Sequence, residues 1–287
     1  MRKRCVFLTL AERGDYVIDD ELAYRPLRER GWDVEAIPWD RPTDWSLYDM
    51  VIIRSTWDYQ LRPQQFLQTI REIEASDTCL HNPSDIVSWN LSKTYLRDLD
   101  ARGVDVVPTV FADSLADGEL PQFFERLAAP DLVVKPQIGA TASGAYRVSD
   151  PIATERLSEI EEYYRQTPLM IQPFISQIVT EGEYSLFYFN GRFSHAIRKL
   201  PQENDYRSQE EHGAGIHPVR QPESALLAAG QRAIEAIGTT LLYARVDLVR
   251  GNDTGSFQLM ELELIEPALY FRMDEQAAQR FAAAVDR

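Results

Sequence analysis

Cysteine is scarce. Cys5 and Cys79 are the only two in 287 residues, and they stand in unrelated contexts with no metal-ligand spacing. A disulfide framework, a thiolate metal centre and a cysteine nucleophile are therefore disfavoured, and two reduced structural thiols are expected. Long apolar runs are missing too. The longest falls far short of a membrane span, and Met1-Arg2-Lys3-Arg4-Cys5 leads straight into a strand-like segment, without the apolar region and cleavage site of a signal peptide. The expectation is a cytoplasmic protein with no membrane partner. Positive charge is in deficit: Lys and Arg number 30 against 45 Asp and Glu, a net charge of −15. That argues against a nucleic-acid partner, which would want a basic footprint, but a few well-placed lysines can still hold a nucleotide. No Ser-His-Asp or Cys-His arrangement is visible, so a covalent enzyme intermediate is not expected. The remaining composition, 44% hydrophobic and 26% charged, suits a soluble globular chain of one to three domains.

What is there concentrates in Met260-Glu261-Leu262-Glu263-Leu264-Ile265-Glu266-Pro267. Alternation of acid and leucine reads as a half-buried strand, with Glu261 and Glu263 on one face roughly 7 Å apart. A second alternating run, Ala244 to Val249, precedes it, and the turn-rich stretch Gly251-Asn252-Asp253-Thr254-Gly255 separates the two. A hairpin would set Asp247 across from Glu261. Three acids on one face conflict, and a divalent cation would relieve them; the all-oxygen donor set favours Mg2+ over zinc. Charges on a strand can otherwise mark only the wet face of an antiparallel sheet.

Upstream, Arg4 to Leu10, Val34 to Pro38 and Tyr48 to Arg54 read as strands, with a helix from Asp19 or Asp20 to about Arg30 and Gly31 as its stop. Alternating strands and helices predict a small parallel α/β unit, whose ligands would sit beyond the carboxyl ends of the strands. There lies Arg54-Ser55-Thr56-Trp57-Asp58-Tyr59, readable as part of a substrate pocket with Arg54 as a carboxylate partner, or as a polar loop whose aromatics pack on the next helix. A helix over Gln64 to Ser76 follows, then a turn at His81-Asn82-Pro83. A helical stretch from Asp85 to Gly103 carries Lys93, with a domain boundary near 85–105. Leu132 to Pro136 is a strand that presents Lys135. The loop Gln137-Ile138-Gly139-Ala140-Thr141-Ala142-Ser143-Gly144-Ala145 could bring backbone N–H groups and hydroxyls to phosphate, although the lysine precedes the glycines and it is no Walker loop. Thr154 to Gln166 reads as a helix with a solvated face, and Leu169 to Ile175 as an apolar run broken at Pro173. Tyr184 to Leu200 is a hairpin ending in the basic pair Arg198-Lys199. Gln202 to His217 reads as a mobile loop able to close over a site, its His212 and His217 exposed or substrate-facing, not ligands. Ser224 to Gly238 is an amphipathic helix.

The order of these features resembles the ATP-grasp family, most closely its glutathione synthetase and ribosomal-protein glutamate ligase branch, over nearly the whole chain. The Arg-Ser-Thr-Trp-Asp-Tyr cluster also looks like the subgroup near the cycloserine-forming ligase. The resemblance implies an α/β (α+β) fold in three parts: a small parallel α/β substrate domain (1–88), a central subdomain with the Gly-rich loop (89–172) and an antiparallel C-terminal subdomain with the metal site (173–287). It implies ATP held by Lys93, Lys135, the loop residues Gln137, Gly139, Thr141 and Ser143, the hinge Gln172-Pro173-Phe174-Ile175, and Glu183 near the ribose. It implies Mg2+ on Asp247, Glu261 and Glu263, with Glu263 standing where the family commonly has Asn. Arg245, with Arg198 or Lys199, would stabilise the transferred phosphate. Arg54, Ser55, Thr56, Trp57 and Asp58 would meet the substrate. The implied reaction is ADP-forming: a carboxylate takes the γ-phosphate and an amine then displaces it, between small molecules or within one, with positioning and charge neutralisation doing most of the catalysis. A phosphotransferase and a nucleotide-binding regulatory module are the alternatives, and a homodimer is what the resemblance suggests for assembly.

Overall fold

The first four strands, β1 (Lys3–Thr9), β2 (Trp32–Pro38), β3 (Met50–Ser55) and β4 (Cys79–His81), pair in parallel in the order β2-β1-β3-β4. The structure is a computed structural model and describes residues 2–286 except 141, 204, 253 and 254. Every residue of β3 is buried, as a continuous apolar run covered on both faces requires. Helix α1 (Tyr24–Glu29) packs on the Cys5 and Phe7 side, and α2 (Pro63–Glu74) on the Val6 and Leu8 side. The helix expected from Asp19 or Asp20 is a 3-10 turn, Asp20–Ala23, running into α1. Asp19 makes no capping bond, because both carboxylates are committed to distant arginines, Asp19 to Arg272 and Asp20 to Arg54.

The single helix expected from Asp85 to Gly103 is two, α3 (Ser84–Asn90) and α4 (Tyr95–Ala101). The break between them carries Lys93, whose N–H donates to the Gln137 carbonyl at 2.8 Å. A second sheet follows, made of β5 (Val110–Ala112), β6 (Asp131–Pro136), β7 (Tyr146–Ser149) and β8 (Leu169–Pro173), antiparallel in the order β5-β8-β6-β7. Helices α5 (Gln122–Arg126) and α6 (Thr154–Tyr164) share its core. The face of α6 is less solvated than its charge suggests: Glu161 is buried and accepts the Gly118 N–H at 2.7 Å.

Beyond the short helix α7 (Gln177–Thr180), the third sheet holds β9 (Glu183–Phe189), β10 (Arg192–Leu200), β11 (Gly215–Pro218), β12 (Tyr243–Arg250) and β13 (Phe257–Glu263), antiparallel in the order β11-β10-β9-β12-β13. Asn190 and Gly191 take positive φ, +47° and +69°, in the two-residue turn between β9 and β10, the backbone that keeps such hairpins twisted correctly. One face of this sheet packs on α4 and on α8 (Ser224–Ile237). The other shares a core with the first sheet through α9 (Ala277–Val285), whose Phe281 ring lies 6.2 Å from Phe7 and 5.4 Å from Phe189. The first sheet lies within 1–88 and the third within 173–287, but β8 of the second runs to Pro173, past the expected limit at 172, and α4 and α9 pack across the limits. No helix among the described residues is long and apolar enough to cross a membrane.

Candidate active site

The hairpin of β12 and β13 puts Asp247 opposite Glu261 and Arg245 opposite Glu263. A bulge leaves Met260 without a partner, since Leu248 pairs with Leu259; such an insertion re-aims the side chains that follow. Alternation then turns Arg245, Asp247, Glu261 and Glu263 into one cleft, which the second sheet, the hinge and the loops close from the other side.

Three acids left to repel one another is not what the structure contains. Each has a base. Arg245 grips Asp247 through Nε and Nη2 at 2.9–3.1 Å and also reaches Glu263. Glu261 pairs with the Lys93 ammonium at 2.9 Å. Lys199 lies 2.8 Å from Glu183 and 3.6 Å from Asp247, and the Ser185 hydroxyl donates to Asp247 at 2.5 Å. Among the described residues no three acids are placed to hold a metal ion together. The conflict expected between strands is thus relieved by Lys93, Arg245 and Lys199. The donor chemistry nevertheless suits magnesium. Glu261 and Glu263 open to the cleft, with side chains 30% and 28% exposed against 3% for Asp247. Burial, followed by the charges of Asp247 and Glu261, lifts the Glu263 carboxyl to about 7 against the pull of Arg245. That surplus of hard, poorly solvated oxygen is what a divalent cation neutralises.

Facing the acids, Lys135 projects from the end of β6. Among the described residues it has no ion pair or hydrogen bond, and burial, with Lys93 beside it, lowers its pKa despite the opposing charges of Glu261 and Glu183. The Lys93 ammonium also donates to the Gly139 carbonyl at 2.8 Å. Gly139 and Ser143 line the cleft, as do Gln172, Pro173, Phe174, Ile175 and Glu183; Thr141 lies outside the described residues. Gln137 does not face the cleft. Its amide donates to the Ala112 and Leu169 carbonyls, at 3.0 and 3.1 Å, and so ties the loop to β5 and β8. Alternation separates the basic pair on β10: Lys199 lines the cleft, whereas Arg198 lies on the opposite face beside Gly182 and Glu181. Of the 202–217 segment, Tyr206 to Glu211 border the opening, with the Tyr206 hydroxyl donating to the Ala145 carbonyl at 3.2 Å. His217 is exposed on β11, and neither it nor His212 lines the cleft.

The cluster after β3 is placed otherwise than expected. Arg54 is 1% exposed, donates to Asp20 at 2.9–3.1 Å and to the Pro267 carbonyl at 2.8 Å, and does not line the cleft. An arginine read as a carboxylate receptor already has its carboxylate. Ser55 bonds Thr9, Thr56 is fully buried, and Asp58 accepts from the Trp39 indole and from Arg62. Trp57 does line the cleft, and its indole N–H donates to the Glu266 carbonyl at 2.8 Å. Sequence reasoning missed Glu266, Tyr95 and Tyr270 as lining residues, while Tyr59, read with the Arg54 cluster, does line the cleft. Glu266 is out of phase with Glu261 and Glu263, and only the end of β13 at Glu263 frees it to turn inward. Burial and the neighbouring Glu263 raise its carboxyl to about 8, partly offset by a hydrogen bond from Tyr59.

A cleft between two antiparallel sheets, carrying Lys93, Lys135, Lys199, Arg245 and an acidic strand pair, is the site of an ATP-grasp ligase. Residues 105–274 match the family model for the prokaryotic glutathione synthetase ATP-grasp domain, and the chain belongs to that family: it is an ATP-dependent carboxylate–amine ligase that works with Mg2+. Within it, residues 5–82 match the D-cycloserine synthetase DcsG N-terminal domain. The cycloserine biosynthesis protein DcsG of Streptomyces lavendulae is 32% identical over 275 residues, 90% of this chain and 89% of the relative. A crystal structure of D-cycloserine synthetase DcsG superposes with a TM-score of 0.86 at 29% identity, covering 98% of both chains. Glutathione synthetase of Prochlorococcus marinus subsp. pastoris is 26% identical over 184 residues, 62% of this chain and 57% of the relative.

Proposed function

We propose that the chain activates the carboxylate of a small amino-acid-like substrate by ATP-dependent phosphorylation and closes it onto an amine, within one molecule as in cycloserine formation or between two. The observation that carries this reading is Lys135, a half-buried ammonium without an ion pair or hydrogen bond among the described residues, facing Glu261 across the cleft. A poorly solvated cation of that kind calls for an anion, and a nucleotide phosphate between Lys135 and Lys93 supplies one. Gln172, Pro173, Phe174, Ile175 and Glu183 then take the nucleoside end. Glu261 and Glu263, with Asp247 behind them, would hold Mg2+, which when bound screens the phosphate oxygens from these acids. Arg245 and Lys199 border the transferred phosphoryl group and neutralise its developing charge, a type of contact worth several kcal/mol. The carboxylate oxygen attacks the γ-phosphorus, ADP leaves, and the amine nitrogen then attacks the acyl carbon and expels phosphate. Trp57, Tyr59, Tyr270 and Glu266 surround the room left for the substrate.

ADP release should be measured with a panel of small amino acids and amino-acid amides, with and without hydroxylamine, and the products weighed by mass spectrometry. Trapped hydroxamate or a ring-closed product supports the ligase. A stable phosphorylated product insensitive to the trap points to a phosphotransferase, and Mg-ATP binding without turnover to a regulatory module.

A further inference from the structure

Every carbonyl but one from Leu262 to Pro267 accepts a hydrogen bond from a side chain elsewhere in the chain. The Asn90 amide donates to Leu262 at 2.8 Å, Asn82 to Leu264 at 2.7 Å, the Tyr243 hydroxyl to Ile265 at 2.8 Å, Trp57 to Glu266 at 2.8 Å and Arg54 to Pro267 at 2.8 Å; Glu263 is the exception. Beyond Glu263 there is no sheet partner to fix the chain, so these donors, three of them from the first sheet and its loops, set where Glu266 stands. Its side chain is treated differently from its backbone. Asp247, Glu261, Glu263 and Glu183 each have a lysine or arginine within ion-pair distance, whereas Glu266, among the described residues, has none. It faces the cleft beside Tyr59.

We propose that Glu266 is the specificity-determining carboxylate that receives the ammonium group of the amino-acid-like substrate, and that Trp57 and Arg54 are positioning residues that hold its backbone in place. This rests on the ligase reading above. A half-buried carboxylate without a cation is unfavourable in the empty cleft; a substrate ammonium supplies the missing charge and gains a charge-assisted hydrogen bond. A substrate carrying a hydroxyl in place of the ammonium cannot do so, and discrimination of this kind is large because the buried partner is left unpaired.

The test compares D-alanine and D-serine with D-lactate and D-glycerate, by ADP release and by titration calorimetry in the presence of Mg2+ and a non-hydrolysable ATP analogue. In the unaltered protein the amino members should be preferred at least tenfold in kcat/KM or affinity. Glu266→Gln should bring that preference to within about threefold, raise KM for the amino substrates and leave KM for ATP unchanged. Trp57→Phe, which removes the donor and keeps the ring, should raise KM for the amino substrates several-fold with kcat little changed. An unaltered preference in Glu266→Gln, or no preference in the unaltered protein, overturns the inference while leaving the ligase intact. Binding of the nucleotide analogue with neither ADP release nor binding of any member overturns the substrate reading and the inference with it.

Discussion

The two halves of Met260–Pro267 are held in opposite ways. In the strand half the backbone is satisfied by the sheet ladder with β12, and the side chains are satisfied by one another: Arg245 serves two acids and Lys93 a third. In the half beyond the strand, side chains from the first sheet and its loops, together with Tyr243 of β12, satisfy the backbone, and the acid that results is left to the cleft. Charges fixed by a ladder come with partners in register, so they form a pre-neutralised bed that a metal and phosphates must rearrange. A charge fixed through its own carbonyl can be presented without a partner. The strand half is therefore built for a ligand that brings both signs, and the second for one that brings a cation.

The sharpest way to break that contrast is to remove the base that serves two acids. Arg245→Met strips Asp247 and Glu263 of their shared partner, and breaking a buried pair on one side costs about 3–5 kcal/mol; denaturant unfolding should show a loss of that size together with no measurable ADP release. Unchanged stability would mean that the two acids do not depend on it. Next comes Glu261→Gln, expected to lower ADP release at least a hundredfold while circular dichroism and melting stay near normal; normal turnover would remove this strand from the metal site. Tyr243→Phe tests the other half. It deletes a hydroxyl that serves the Ile53, His81 and Ile265 carbonyls, and should cost about 1–3 kcal/mol while raising KM for the carboxylate substrate more than KM for ATP. A smaller effect concerns pH. Glu266 keeps its proton up to about 8 in the folded chain against an ordinary value of 4.5, so between those values the folded state binds more protons than the unfolded one. Its contribution to stability is full below pH 4.5 and is lost as pH rises toward 8. In thermal melts without nucleotide, Glu266→Gln should therefore gain on the unaltered protein between pH 5 and 8, by a few degrees. The smallest expectation is for the basic pair: Arg198→Ala should change kcat/KM less than about threefold, against at least a hundredfold for Lys199→Ala.

Much of this was legible from residue order, because two periodicities carry it. Period two placed Asp247 across from Glu261 and put Arg245 on their face, and the Gly-rich loop after Lys135 lies where the strand before it implied. The parts that escaped depend on contacts remote in sequence. Arg54 reads as an open receptor at a strand end until Asp20, 34 residues earlier, is seen against it. Lys199 and Arg198 cannot be told apart until the phase of β10 is known. The helix through Lys93 reads as unbroken because no glycine or proline marks the gap; the main-chain bond to Gln137 does. Glu266 escapes a reading by alternation because the strand ends at Glu263, before it.

The placement of α9 bears on how the chain matures. Phe281, Ala282 and Val285 complete the hydrophobic interior around Phe7, Leu27 and Trp32, although the two sets are some 250 residues apart. As the polypeptide leaves the ribosome, its first sheet remains without that cover until α9 has been made, and apolar surface exposed in that interval is a hazard for self-association. Assembly of the first sheet is thus tied to the synthesis of α9, and a truncation before Ala277 should be a client of chaperones well before it is a poor enzyme.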